Sequence, residues 1–270
     1  MPVPAVPLSL ENKVVLITGG SRGIGAAAVR LFHQAGARVA FNYRSARSAA
    51  DALVAELGSN CIAIEQELST PEHGRALVAK TIEAYGRIDA LVANHGVWPP
   101  HEAPIASMPE EQWRSTLAIN LDSVYGLAQA AVAQMLRQGR TKSNQPGMPD
   151  QPAGHIVFVS STAGQRGEAN HADYAASKGA LISLTKSLSS ELAPQGISVN
   201  CVAPGWVDTD MSAAALADPA TSPSIFGAIP LRRVARPIEI AGPILFLCTP
   251  YAGFISGEIL NVNGGAVLVG

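Results

Sequence analysis

Cysteine, charge and aromatic residues are all sparse in this chain, and each shortage closes off a class of protein. The three cysteines, Cys61, Cys201 and Cys248, are odd in number, widely separated and without a CxxC pairing; this excludes a disulfide framework and suits a reducing compartment. Charged residues make up 15% of the sequence and the formal net charge is −2. With no Lys/Arg-rich run interleaved with aromatics, there is no electrostatic footprint for nucleic acid. No apolar run approaches the roughly 18 residues that a membrane helix needs. The opening segment MPVPAVPLSLENK has no basic n-region and is interrupted by prolines, so neither export nor membrane anchoring is expected and the expected location is cytoplasmic. None of the six histidines falls in an HExxH or other paired-ligand spacing, and no metal site is expected.

What the chain has in excess is apolar character. Hydrophobic residues reach 47% and the mean hydropathy is +0.19, which points to surface covered by further subunits. A length of 270 residues fits one domain, because a single core keeps growing to about 250–300 residues. Seven β-branched strand candidates, at 13–18, 38–43, 62–65, 90–94, 155–160, 198–203 and 259–262, alternate with helical patterns at 26–34, 49–57, 74–85, 112–137, 174–192 and 238–247. That alternation predicts an α/β fold, a doubly wound parallel sheet with helices on both faces. Residues 1–12 read as a tail, GRTKSNQPGMPDQPAG at 139–154 as a proline-rich insertion loop, and 208–237, with a small-residue helix candidate at 212–217, as a substrate-binding loop or lid.

The first strand runs into Thr18, Gly19, Gly20, Ser21, Arg22, Gly23, Ile24 and Gly25 and then an alanine-rich helical pattern. Glycines let the main chain turn tightly and approach a pyrophosphate, while the helix start offers free N–H groups and a positive dipole end. The spacing is GxxxGxG, not GxGxxG, so the motif needs support from the rest of the chain. The second strand ends in Phe41, Asn42, Tyr43 and Arg44, where an NAD site usually carries an acid for the ribose hydroxyls. Arg44 and Arg22 suit a 2′-phosphate instead, which favours NADP while leaving NAD open.

Tyr174 and Lys178 stand four residues apart, on one face of a helix. Free tyrosine has a pKa near 10, so a phenol shuttles protons at neutral pH only when fixed positive charge stabilises its anion. Lowering it by about three units requires roughly 4 kcal/mol, which needs an oxidised nicotinamide ring as well as the lysine. YxxxK alone is common on surfaces. Here it follows a buried-type strand, 155–160, that ends in Ser160 and Ser161, thirteen residues from Ser161 to Tyr174; Ser161 is the candidate donor to a substrate oxygen and Ser160 a local backbone partner.

Taken in order, TGGSRGIG at 18–25, NHG at 94–96, Asn120, Ser161, YAASK at 174–178 and PGWVDT at 204–209 make the chain resemble the short-chain dehydrogenase/reductase family over nearly its whole length. The resemblance implies a Rossmann-type fold and hydride transfer between a nicotinamide and a carbonyl or alcohol carbon. Tyr174 would be general acid/base, Ser161 would polarise the carbonyl, and Lys178 would hold the nicotinamide ribose and lower the tyrosine pKa. Asn120 would support a proton-relay water. The cofactor would lie along Gly19, Ser21, Arg22, Gly23, Ile24 and Gly25, with Tyr43, Arg44, Glu67 and Leu68 on the adenine side. Asn94 and Gly96 would border it, and Pro204, Gly205, Val207 and Thr209 would flank the nicotinamide. Glu67 fills an acid position usually held by aspartate.

Within that family NYRS at 42–45, PLRRVARPIEIA at 230–241 and SGEILNVNGG at 256–265 look most like the 3-oxoacyl-[acyl-carrier-protein] reductase group, implying an acyl thioester substrate. Gln195 stands where that group carries a basic residue for its acidic partner, so a small free ketone, sugar, polyol or steroid-like alcohol is the alternative, and a non-catalytic dinucleotide-binding scaffold the third reading. His95 either crowds the cofactor or points outward; the outward placement is expected. Trp98, His171 and Trp206 belong either to the substrate space or to packing. The small residues Ala118, Ser123, Gly126, Ala175, Ala176, Ser177, Gly179, Ala180 and Ser183 pack either on their own sheet or across a symmetric interface, and the resemblance implies a homotetramer, with a homodimer as the smaller assembly.

Overall fold

The computed structural model describes residues 8–140 and 152–269. Most of the proline-rich insertion and the first seven residues of the tail lie outside the described residues.

Seven parallel strands form one sheet in the order β3-β2-β1-β4-β5-β6-β7: β1 (Val14–Ile17), β2 (Arg38–Tyr43), β3 (Cys61–Glu65), β4 (Ala90–Ala93), β5 (Gly154–Val159), β6 (Ile197–Pro204) and β7 (Ile259–Val262). All seven strand candidates are present. Helices α1 (Gly23–Gln34), α2 (Arg47–Leu57) and α3 (Pro71–Tyr85) link the first four strands. Then come α4 (Glu110–Leu117), a π-helical turn (Ala118–Asp122) and α5 (Ser123–Gln138), the short α6 (Thr162–Arg166), and α7 (Ala172–Leu192). The last are α8 (Ala213–Ala217), α9 (Ser222–Ala228) and α10 (Pro237–Leu247). Among the described residues no helix is long and apolar enough to cross a membrane.

Alternation along the strands divides the core. Val15, Ile17, Val39, Phe41, Val92 and Val157 face one side with Val29 and Phe32 of α1 and Ile240 and Ile244 of α10. Leu16, Leu91, Ile156 and Phe158 face the other with Leu77 of α3, Leu127 and Met135 of α5 and Leu181 of α7. Both faces are covered, as a parallel sheet requires. Local signals set the helix ends. In α3, Thr70 accepts the His73 N–H at 3.2 Å, Pro71 takes the first helical position, and Gly86 at φ +77° closes the helix.

The expected helix over 112–137 is interrupted by the π turn around Asn120. The Asn120 carboxamide accepts the Val97 N–H at 2.8 Å and donates to the Val97 carbonyl at 2.9 Å and to Ser177 Oγ at 3.1 Å. A side chain held by two neighbouring elements sets the local winding. The small residues also have an intrachain use: a Cβ on Gly126 would lie 2.0 Å from the Pro71 carbonyl oxygen, and one on Gly74 would lie 2.4 Å from the Ser123 carbonyl. Gly126 and Ser123 therefore serve the α3–α5 crossing, whereas Ala176 and Ser183 of α7 are exposed.

Gly126→Ala should force α3 and α5 apart against rigid backbone and lower the stability by about 1–3 kcal/mol, read as a fall in denaturant midpoint with unchanged slope. An unchanged midpoint would contradict the close crossing.

Candidate active site

The strand order reverses between β1 and β4, and the loops leaving their C-terminal ends separate there, which is where open α/β sheets bind ligands. A cavity of about 380 Å³ occupies this crevice. Its floor is bare main chain. Gly19 and Gly23 have φ of +65° and +54°, and a Cβ on Gly25 would lie 2.0 Å from the Gly19 oxygen. Ser21, Arg22 and Ile24 complete this wall. Helix α1 begins here with no side-chain cap and no acid in its first turn, so its first N–H groups and positive dipole end face the cavity uncompensated. This cradle fits a dinucleotide pyrophosphate.

The end of β2 holds the turn in place. The buried Asn42 side chain accepts the Gly19 N–H and donates to the Gln66 carbonyl, both at 2.8 Å, so its amide is used inside the protein. Tyr43, Arg44, Glu67 and Leu68 line the adjoining wall, with Arg44 and Glu67 exposed. Arg22 reaches the 208–237 segment, pairing with Asp210 at 3.2 Å.

Asn94 donates to the Thr18 carbonyl at 2.9 Å, clamping the glycine turn to β4. His95 does not point outward. It lies between Thr18 Oγ1 at 2.7 Å and Ser123 Oγ at 2.8 Å, with the Ile119 carbonyl at 3.1 Å from Nε2. Hydroxyl and carbonyl partners on both sides draw the ring inward, and it ties the turn to the π-helical segment. Burial, and secondarily the Lys178 ammonium, pushes its pKa down to about 3.

At the other end of the cavity Ser161, Tyr174 and Lys178 come together. Ser161 caps α6, its oxygen accepting the Ala163 N–H at 3.1 Å, while Ser160 donates to the Lys178 carbonyl at 2.7 Å. Lys178 donates to the Val159 carbonyl at 2.9 Å, its Nζ 5.9 Å from the centre of the Tyr174 ring. Burial lowers the lysine to about 8. The phenol is pushed up to about 12, chiefly by burial, with the Glu168 carboxylate adding and hydrogen bonding to Ser161 opposing. In the chain by itself the lysine does not bring the tyrosine down. Asn120 is fully buried behind the cavity wall: a Cβ on Gly96 would lie 3.1 Å from both Asn120 Oδ1 and Lys178 Nζ. Gly96 is the point where these two side chains meet.

Pro204, Gly205, Val207 and Thr209 line a further wall. The 208–237 segment is pinned at its base, where Asp208 N–H bonds the Ala235 carbonyl at 2.8 Å and Ala235 N–H bonds the Trp206 carbonyl at 2.9 Å. Trp98 and Trp206 line the cavity, whereas His171 is buried behind Trp98. Sequence reasoning missed Glu168. It occupies the short link between Ser161 and Tyr174 and lines the same cavity as both.

His95 and His155, the latter lowered to about 4 by burial, stay neutral in the fold. The unfolded chain takes up protons at these positions as pH falls through about 6.5 while the fold does not, so the unfolded state binds more protons and stability falls with falling pH in that window. The His95 ring resonances should not titrate between pH 5 and 8; a midpoint near 6.5 would contradict its burial.

Comparison with known proteins gives a consistent pattern. A family model described as Enoyl-(Acyl carrier protein) reductase matches residues 19–267. A 3-oxoacyl-[acyl-carrier-protein] reductase of Synechocystis sp. is 36% identical over 264 residues, covering 96% of this chain and 99% of the relative. An L-rhamnose 1-dehydrogenase (NAD(P)(+)) of Sphingomonas sp. is likewise 36% identical, over 259 residues, 95% of this chain and 96% of the relative. The crystal structure of a short chain dehydrogenase from Burkholderia cenocepacia in complex with NADP superposes with a TM-score of 0.83 at 32% identity, covering 95% of this chain and 98% of the other.

Proposed function

This chain belongs to the short-chain dehydrogenase/reductase family, and on that footing we propose that it is an NADP(H)-dependent oxidoreductase acting at a carbonyl or alcohol carbon, with Tyr174 as its proton donor and acceptor. The observation that carries this reading is the convergence of Ser161, Tyr174 and Lys178 at one end of a cavity whose other end is a glycine turn opening a helix.

When bound, a nicotinamide dinucleotide supplies the two-electron chemistry. The chain's residues do the rest. The amides of the turn from Gly19 to Gly25 hold the pyrophosphate. Arg44, with no acid at the end of β2 to receive ribose hydroxyls, favours a 2′-phosphate; Arg22 can join it, because an ion pair as exposed as Arg22–Asp210 holds weakly. In reduction the Tyr174 hydroxyl donates its proton to the substrate oxygen while the Ser161 hydroxyl donates a hydrogen bond to the same atom; in oxidation the phenolate takes the proton. The Lys178 ammonium stabilises that phenolate, and Asn120 keeps Val97 and α7 in register around the pair.

Two substrate classes follow from different observations. Motifs and relatives favour a 3-oxoacyl thioester. The exposed end of α7 carries Gln195 without charge, although Arg140 donates there to the carbonyls of Ala193 and Pro194 at 3.2 and 3.1 Å. A free hydroxylated ketone or sugar is favoured by the polar wall beside Tyr174. A homotetramer is supported by the apolar side chains that stay exposed around β7, with Phe254 fully exposed and Tyr251 and Leu268 close by in sequence. A cytoplasmic location is supported by three free, buried cysteines.

Oxidation of NADPH and NADH against a carbonyl panel that includes a 3-oxoacyl thioester tests the reading. Tyr174→Phe should lose about 10²–10⁴-fold in kcat, and undiminished turnover would overturn the proposal. Arg44→Ala should raise the KM for NADPH about 10–100-fold and leave that for NADH unchanged; equal use of both coenzymes by the unmodified protein would overturn the NADP preference.

A further inference from the structure

We infer that Glu168, backed by Trp98 and Trp206, forms a substrate subsite for uncharged polyhydroxylated compounds, a sugar or polyol whose hydroxyl next to the reacting carbon donates to the Glu168 carboxylate. The inference rests on the oxidoreductase reading of the same cavity and names its substrate class.

The subsite is built from the segment between α6 and α7. Gly167 at φ +80° and Asn170 at φ +62° turn the chain twice in four residues, and Glu168 lines the cavity while His171 is buried. His171 in turn fixes the wall. Its ring contacts the Pro99 carbonyl at 3.1 Å through Nε2 and stacks on Trp98 at 4.7 Å between centroids. Trp98 Nε1 donates to one Glu168 oxygen at 3.3 Å, and Trp206 meets Trp98 edge-on at 6.3 Å. Glu168, Trp98 and Trp206 all line the space that also contains Tyr174.

Among the described residues no lysine or arginine pairs with Glu168; its ion-pair contact is with His171 Nδ1 at 4.0 Å, and its side chain is 22% exposed. An ionised carboxylate accepts hydrogen bonds and donates none. With one oxygen taking a single long bond from Trp98, the group retains acceptor capacity for donors in the cavity. Burying it against an acyl chain would leave that capacity unmet, which is costly. A phosphate or carboxylate of the substrate would be repelled. Hydroxyl groups satisfy it, and the tryptophan faces and edges cover the C–H side of a hydroxylated chain or ring. Glu168 lines the same cavity as Ser161 and Tyr174, and its charge adds to the burial that raises the phenol. A substrate hydroxyl bound to Glu168 therefore sets the neighbouring carbon beside Tyr174 and Ser161. With an oxidised dinucleotide bound as the hydride acceptor, that carbon's hydroxyl would give its proton to the Tyr174 phenolate as the hydride leaves, which leaves a ketone.

The test uses the full-length protein with NADP⁺ and a panel of sugars and polyols, each matched to the deoxy analogue lacking the hydroxyl next to the reacting carbon, and with NADPH and a 3-oxoacyl thioester. Hydroxylated substrates should exceed their deoxy analogues in kcat/KM by about 10–100-fold. Glu168→Gln keeps an acceptor for Trp98 and should raise KM for the hydroxylated substrate by a similar factor, with the KM for NADP⁺ and the KM for the deoxy analogue little changed. A merely structural role would instead depress kcat for every substrate alike. Equal KM for both members of each pair, or no effect of Glu168→Gln on either, overturns the subsite. Reduction of the thioester with no turnover of any hydroxylated compound, still abolished by Tyr174→Phe, overturns the subsite and leaves the oxidoreductase reading intact; turnover of nothing by either coenzyme overturns both.

Discussion

Two ionisable side chains one helical turn apart, Tyr174 and Lys178, are held almost free of water, and the rest of the site answers the cost of that burial. Desolvation disfavours the charged form of each: it takes the phenol up to about 12 and the ammonium down to about 8. A lysine at that value still carries its proton at neutral pH, and the Val159 carbonyl accepts from it at 2.9 Å. The phenol is left neutral and short of positive charge. The proposed chemistry requires exactly one more cation beside it, and the cavity that runs from the glycine turn to Tyr174 is where a charged nicotinamide ring would bring it.

The scaffold around this pair is polar and fully engaged. Thr18, Asn94 and His95 bind one another and the glycine turn, Asn42 binds the turn from the other side, and Asn120 joins Val97 to Ser177. Thr18, Asn42 and Asn120 are buried and Asn94 and His95 half-buried, their hydrogen bonds run inside the protein, and such networks rigidify a site. They fix the distance between the glycine turn and the cluster of Ser161, Tyr174 and Lys178. The 208–237 segment is anchored differently, by backbone bonds at its base and an exposed ion pair to Arg22, so its outer part can vary without disturbing the core.

The sheet was legible because parallel strands buried on both faces leave short β-branched runs between helical patterns, and the seven found by that signal end within a residue or so of the observed ones. The glycine turn and the Tyr174–Lys178 spacing were legible because their geometry is local. What escaped was decided by tertiary contact. The π turn around Asn120 depends on Val97 and Ser177, the inward ring of His95 on Thr18 and Ser123, and α6 is five residues long and begins only because Ser161 caps it. Gly126 looked like interface material and instead serves a crossing with α3. Glu168 carried no signal in the sequence, and its place in the cavity emerges only once Trp98, far away in sequence, is seen to bind it.

The most direct test of the central claim is ultraviolet difference titration of the Tyr174 phenol, taken as the unmodified protein minus Tyr174→Phe, without and with saturating NADP⁺. The account predicts ionisation near 12 in the free protein and a midpoint lower by several units in the complex. A midpoint that is the same with and without the dinucleotide would contradict it.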